Sequence, residues 1–177
     1  MSRQIRGNQP VSGAAKAAPR HWIPGLTRAL YAGNALWYTS ALTYFGFRQP
    51  HMMRKLSTRR TSSDPAVRHS PAGDAWHRDF MACLGGLNSS LAVLAALRVY
   101  ALARPSRVLG GNSVALGVTA LAVLDAANLS QAFVNFTVSR AGDRWIMGKG
   151  WDRITVLDAL FTVLDLGAAV ARVVGAG

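Results

Sequence analysis

Glutamate is absent from this chain, and only eight aspartates stand against twenty lysines and arginines, for a formal net charge of +12. Any carboxylate chemistry therefore falls to aspartate. Cysteine occurs once, at Cys83, which excludes an intrachain disulfide and any multi-cysteine metal site. No glycine-rich phosphate loop follows a strand-like run, and no Gly-x-Ser-x-Gly elbow is present. The four histidines, His21, His51, His69 and His77, are scattered, and none forms the i, i+4 pair of a helical metal site. Neither a metal nor a cofactor is expected. There is no internal repeat, strand patterns are hard to find, and the first twenty residues lack the apolar centre of a cleaved secretory signal.

What is present is grease in blocks. Half of the chain is apolar, and that half is gathered into long runs separated by basic segments. Such a distribution reads as a multi-pass membrane protein of one domain. A net charge this high would also suit a nucleic-acid binder, but the cations cluster at the edges of the apolar blocks, where lipid headgroups would meet them. Membrane lipids are the expected partners, and nucleic acid is not.

The pattern predicts an all-α integral membrane four-helix bundle. A basic disordered tail covers residues 1–24, and the transmembrane domain covers 25–177. Spans are expected at about 29–47, 80–102, 114–138 and 154–174, with a basic loop at 48–79 whose Pro50, Pro65 and Pro71 argue against a long helix. The first span is the weakest, short of Leu, Ile and Val and heavy in aromatics that favour the interface. An alternative keeps three spans and lays the first helix in the headgroup layer. Charge counting bears on this choice. With four spans the two sides carry 9 and 11 cations, whereas an interfacial first helix gives 16 and 4. Against that contrast, the 19 uncharged residues of 29–47 can bridge about 28 Å as a helix. Tryptophans Trp145 and Trp151 in the last loop are natural interfacial anchors. The compartment stays open among endomembrane, plasma membrane and mitochondrion.

The most informative stretch is the last. Thr155, Asp158, Thr162, Asp165, Ala169 and Arg172 follow one another at steps of three and four, so a helix places them on one stripe. A carboxylate facing lipid costs about 2.5–3.5 kcal/mol on insertion scales. That stripe must therefore face other helices or a wet cavity. In the third span, Asp125 is followed by Asn128, Gln131 and Asn135, which the spacing places on its face. In the second, Gly85, Ser89, Ala92 and Ala96 form a small-residue stripe that invites a neighbour, with Asn88 beside it. Arg98 and Arg172, near span ends, are expected to snorkel outward.

Antiparallel packing would bring Asp158, Asn88, Asn128, Gln131, Asn135, Thr162 and His77 toward one polar pocket that opens to the basic loops. Three functions fit it. The residues can fix helix register, as in a scaffold for membrane enzyme partners. They can line a site for a lipophilic molecule in lipid, sterol or secondary-metabolite biosynthesis. Or Asp158, Asp165 and Asp125 can act as acid and base on an isoprenoid or polyketide. A small transporter or ion pathway is a further alternative.

Short segments give the layout a familial cast. Ile23-Pro24 before the first span, His77-Arg78-Asp79-Phe80 opening the second, and Arg140 with Gly148-Lys149-Gly150 closing the third resemble the small four-span sterol-biosynthesis scaffolds. The resemblance implies a helical membrane scaffold. The aspartate-bearing fourth span is no part of that pattern, and no residue role is carried across.

Overall fold

A computed structural model describes residues 22–56, 58–111, 113–137 and 152–175. The expected tail up to residue 21, and most of the last loop with Trp145, Trp151, Arg140 and Gly148-Lys149-Gly150, lie outside the described residues. Among the described residues every regular element is helical. In chain order they are α1 (Trp22–Ala41), a π-helical turn (Leu42–Phe47), α2 (Gln49–Leu56), a 3-10 turn (Thr58–Thr61), α3 (Pro65–Arg68), α4 (Ala75–Ala103), α5 (Val114–Thr137) and α6 (Arg153–Val174).

The helix starts are written locally. Asp74 accepts from the backbone N–H of His77 and starts α4 five residues before the expected span. Asp152 accepts from Thr155 N at 2.7 Å and starts α6. Asp64 caps α3 from Ala66 N at 2.9 Å, with Pro65 at the first helical position, where its missing N–H costs nothing. At its far end α4 stops before Pro105, and the chain turns through Gly110 at φ 53°, a left-handed conformation that glycine adopts without strain.

α4, α5 and α6 are long and apolar enough to cross a membrane. α1 does not reach that standard of hydropathy, so three such helices are found among the described residues where four spans were expected. The reason is visible in its packing: α1 carries polar side chains inward. With the π turn that continues it, α1 runs antiparallel to α4, with Tyr31 beside Arg98 and Gly46 beside Gly85. It runs antiparallel to α6 and in the same direction as α5, while α5 packs along α6.

Polar groups are set within an otherwise apolar core, and large apolar side chains face outward. Asn34, Asn128, Asn135, Thr155, Asp158 and Asp165 are buried, whereas Leu87, Val93, Leu129, Phe133, Val163 and Val174 are exposed. Four exposed hydroxyls find their acceptors within their own helices. Thr39 donates to Ala35 O, Thr43 to Thr39 O, Ser130 to Ala127 O and Thr137 to Phe133 O, each one turn back along its own helix. A hydrocarbon solvent demands this internal satisfaction.

Close backbone contact ties the π turn to α4. A Cβ on Gly85 would stand 2.5 Å from Gly46 N and 2.7 Å from Gly46 Cα. The expected small-residue stripe on α4 is thus an interface at Gly85 and Ala92, but Ala96 is exposed and Ala95 takes its place. Three residues on from Ala92 lies nearer the buried line than four.

Candidate functional site

The stripe on α6 points inward as its spacing requires. Thr155, Asp158, Asp165 and Ala169 are buried, and Thr162 is half-buried, its hydroxyl donating to Asp158 O at 2.8 Å. The partners of the two carboxylates come from α1 and α5. Asn34 Nδ2 donates to Asp165 Oδ1 at 2.9 Å and reaches Oδ2 at 3.2 Å. From α5, Asn128 Nδ2 donates to Asp165 Oδ2 at 3.2 Å and to Asn34 Oδ1 at 3.1 Å. Tyr38 closes the ring, its hydroxyl donating to Asn128 Oδ1 at 2.8 Å. Both carboxyl oxygens of Asp165 and both amide oxygens therefore have donors. One turn-pair away, Asp158 takes its bond from Trp37 Nε1 at 2.8 Å.

This knot was only half legible in the sequence. Asn34, Trp37 and Tyr38 fall in the span judged weakest, yet Thr27, Tyr31, Asn34 and Tyr38 step by four, three and four, the same rhythm as α6. All four are buried. That matching stripe was the available signal.

On α5 the inward line runs through Gly117, Leu121, Leu124, Asn128, Ala132 and Asn135. Asn128 and Asn135 lie on it as expected. Gln131 is exposed and Asp125 only half-buried, with Asp125 Oδ1 lacking a hydrogen-bond partner among the described residues. Each step of three residues turns about 300°, so both flank the line instead of sitting on it. Asn88 is half-buried and donates to Leu84 O of its own helix at 2.8 Å.

His77 is placed elsewhere, in a polar clasp on the first loop. Its Nδ1 lies 2.7 Å from Asp74 Oδ1, and Arg59 NH1 approaches its Nε2 at 3.3 Å. Arginine can only donate, so Nε2 accepts and the ring proton sits on Nδ1, pointing at Asp74. The backbone N–H of His77, and then its ring, hold the Asp74 carboxyl below the ordinary aspartate range.

The two arginines expected to snorkel turn inward instead. Arg98 is buried, donates to Leu109 O at 3.2 Å and lies 5.9 Å over the Tyr31 ring. The turn after Pro105 folds back over the helix end and supplies those carbonyls. Arg172 is half-buried, with its guanidinium against Gly117, where a Cβ would come within 2.8 Å of Cζ.

A cavity of about 360 Å³ lies nearer the first loop, between the end of α1 with its π turn, α2 and the start of α6. Trp37, Ala41, Phe45, Met52, Ile154 and Leu157 give it apolar walls, and Tyr44, His51, Lys55, Asp152 and Arg153 a polar mouth. The Tyr44 and His51 rings stack at 6.2 Å, pinning α2 to the π turn. Met52 and Met53 of α2 pack with Met81 of α4. None of Asp125, Asp158, Asp165, Asn88, Asn128, Gln131, Asn135, Thr162 or His77 lines this cavity. The expected polar pocket thus divides into a closed knot at mid-depth and a mostly apolar cavity at the loop end. No group of three or more potential metal ligands occurs among the described residues.

Compared with family models, curated proteins and solved structures, the chain finds no match. The likeness to four-span scaffolds rests on its short segments alone.

Proposed function

We propose that the protein is a small membrane protein of four spans that binds a lipophilic molecule in the cavity between α1, α2 and α6. The cavity carries this reading: its volume falls within the ~300–1,000 Å³ of ligand sites, and its walls are apolar with a few polar groups at one end. The fourth span is α1. With the π turn that continues it, α1 lies along α4 from Tyr31 to Gly46, so it follows α4 across whatever α4 crosses. Its modest hydropathy fits a helix whose polar face is hidden among the others.

The arrangement favours binding over acid–base catalysis. Trp37 holds Asp158, Asn34 and Asn128 hold Asp165, and neither carboxylate lines the cavity. A role as scaffold for membrane enzymes is compatible with the same fold, with the knot fixing the bundle's register.

The test is native mass spectrometry of the protein released from membranes in mild detergent. Wild type is expected to carry a lipophilic adduct. Ala41→Phe, which fills the cavity, should lose it while keeping the thermal midpoint within a few degrees. Adducts that persist equally in a folded Ala41→Phe protein would overturn the proposal.

A further inference from the structure

We infer that the ligand is a single-chain amphiphile with an anionic headgroup, its tail against Trp37 and Leu157 and its headgroup between Lys55 and Arg153. This inference rests on the binding role proposed above. The cavity joins two kinds of surface. Its depth is formed by α1 and α6 side chains that are apolar, while its mouth brings together a lysine from α2 and an arginine from the first turn of α6. Both cations are exposed. They belong to segments far apart in sequence, and the fold alone places them on one rim.

The charge balance at that rim is positive. The carboxylate there, Asp152, accepts from Thr155 N through Oδ1, and Lys55 and Arg153 outnumber it two to one. His51 is stacked on Tyr44. No ion pair joins Lys55 or Arg153 to an acid among the described residues. The α6 helix also begins on this wall, so the positive end of its dipole adds to the same field. Cations at the level of lipid headgroups attract anions, and such a rim faces that layer if the loops mark the membrane surface. The volume, about 360 Å³, suits one chain better than two. The π turn contributes to the shape: its wider winding sets Tyr44 and Phe45 along the wall, and π turns recur where helices build ligand sites.

The full-length protein, in nanodiscs of phosphatidylcholine alone, can be titrated with hexadecyl phosphate, hexadecanol and inorganic phosphate. Hexadecyl phosphate is expected to bind roughly tenfold tighter than hexadecanol, and inorganic phosphate not to compete. In Lys55→Gln/Arg153→Gln that preference should collapse to parity while hexadecanol binding is unchanged. Equal affinity for phosphate and alcohol in wild type, or an undiminished preference in the double variant, would overturn the headgroup assignment and leave the binding role standing. Failure of both amphiphiles to bind would overturn the binding role itself. Competition by inorganic phosphate at similar strength would assign the rim to a free anion and refute the amphiphile. Ala41→Phe should weaken both amphiphiles, and a folded variant that binds both as wild type does would remove the tail from this cavity.

Discussion

The mid-depth knot and the loop-end cavity share two helices, α1 and α6, and they differ in how polar groups are settled. In the knot, Asn34, Tyr38, Asn128 and Asp165 spend their donors and acceptors on one another. At the loop end, one turn-pair further along, the walls are apolar and no ion pair joins the rim cations to an acid among the described residues. A closed network of this kind fixes register; an apolar recess with cations at its edge is the geometry on which the proposed binding role rests. The contrast teaches that buried carboxylates in a long apolar helix mark the structural centre here, and that the proposed site lies beside them.

The severest way to break the contrast is to push the π turn away from α4. Gly85→Ala places a Cβ against the Gly46 backbone, which cannot swing aside as a side chain can. It should cost up to about 3 kcal/mol, the upper end for overpacking. Gly86→Ala meets nothing within 4 Å and should be near neutral. Thermal midpoints in detergent separate the two, and equal midpoints would refute the backbone contact.

The knot comes next. Asp165→Leu leaves the Asn34 and Asn128 N–H groups without their acceptor and should destabilise by about 2 kcal/mol. Asp165→Asn keeps an acceptor oxygen and should cost less than about half of that. In a double-mutant cycle, Asn34→Leu and Asp165→Leu should couple by roughly 0.6–1.7 kcal/mol. Additive losses would mean that the pair is not joined.

Trp37 belongs to both regions, since its indole lines the cavity and its N–H holds Asp158. Trp37→Phe removes one hydrogen bond, worth about 1 kcal/mol, while preserving most of the apolar wall. Stability should fall slightly and hexadecanol binding should change less than stability does. The reverse pattern would place the tail elsewhere.

The smallest effect is a pH dependence in the first-loop clasp. The folded Asp74 carboxyl sits below its unfolded value, so the folded state prefers it ionised. Its contribution is present above the ordinary aspartate range, near pH ~4, and is lost as acid carries the pH through the lower folded value. Asp74→Asn keeps a helix cap but has no such titration. Its midpoint should therefore flatten on acidification relative to wild type, and parallel curves would show that the clasp does not titrate.

Some of this was readable in advance. The α6 stripe was, because residues at steps of three and four must share a face whatever surrounds them. The burial of Asn128 and Asn135 followed for the same reason. Gln131 and Asp125 were misassigned because a run of three-residue steps drifts off the face. Asn34 and Tyr38 were in plain view but sat in a segment whose low hydropathy argued against a span. Hydropathy measures what a helix shows to lipid only when its polar face is not hidden, and in α1 that face is hidden. Arg98 and Arg172 defied the snorkelling expectation because the carbonyls and the glycine that receive them come from other segments.

By itself the sequence determined that the chain is helical, that its long helices are apolar enough for a membrane, and that the carboxylates of the last one must turn away from lipid. These follow from periodicity and from the cost of burying charge in hydrocarbon, which act within one segment. Only the tertiary structure decided that the carboxylates are tied off by α1 and α5, and that a lysine and an arginine about a hundred residues apart share the rim of a cavity. Side chains from distant segments meet only once the helices have packed, and no local pattern records that meeting.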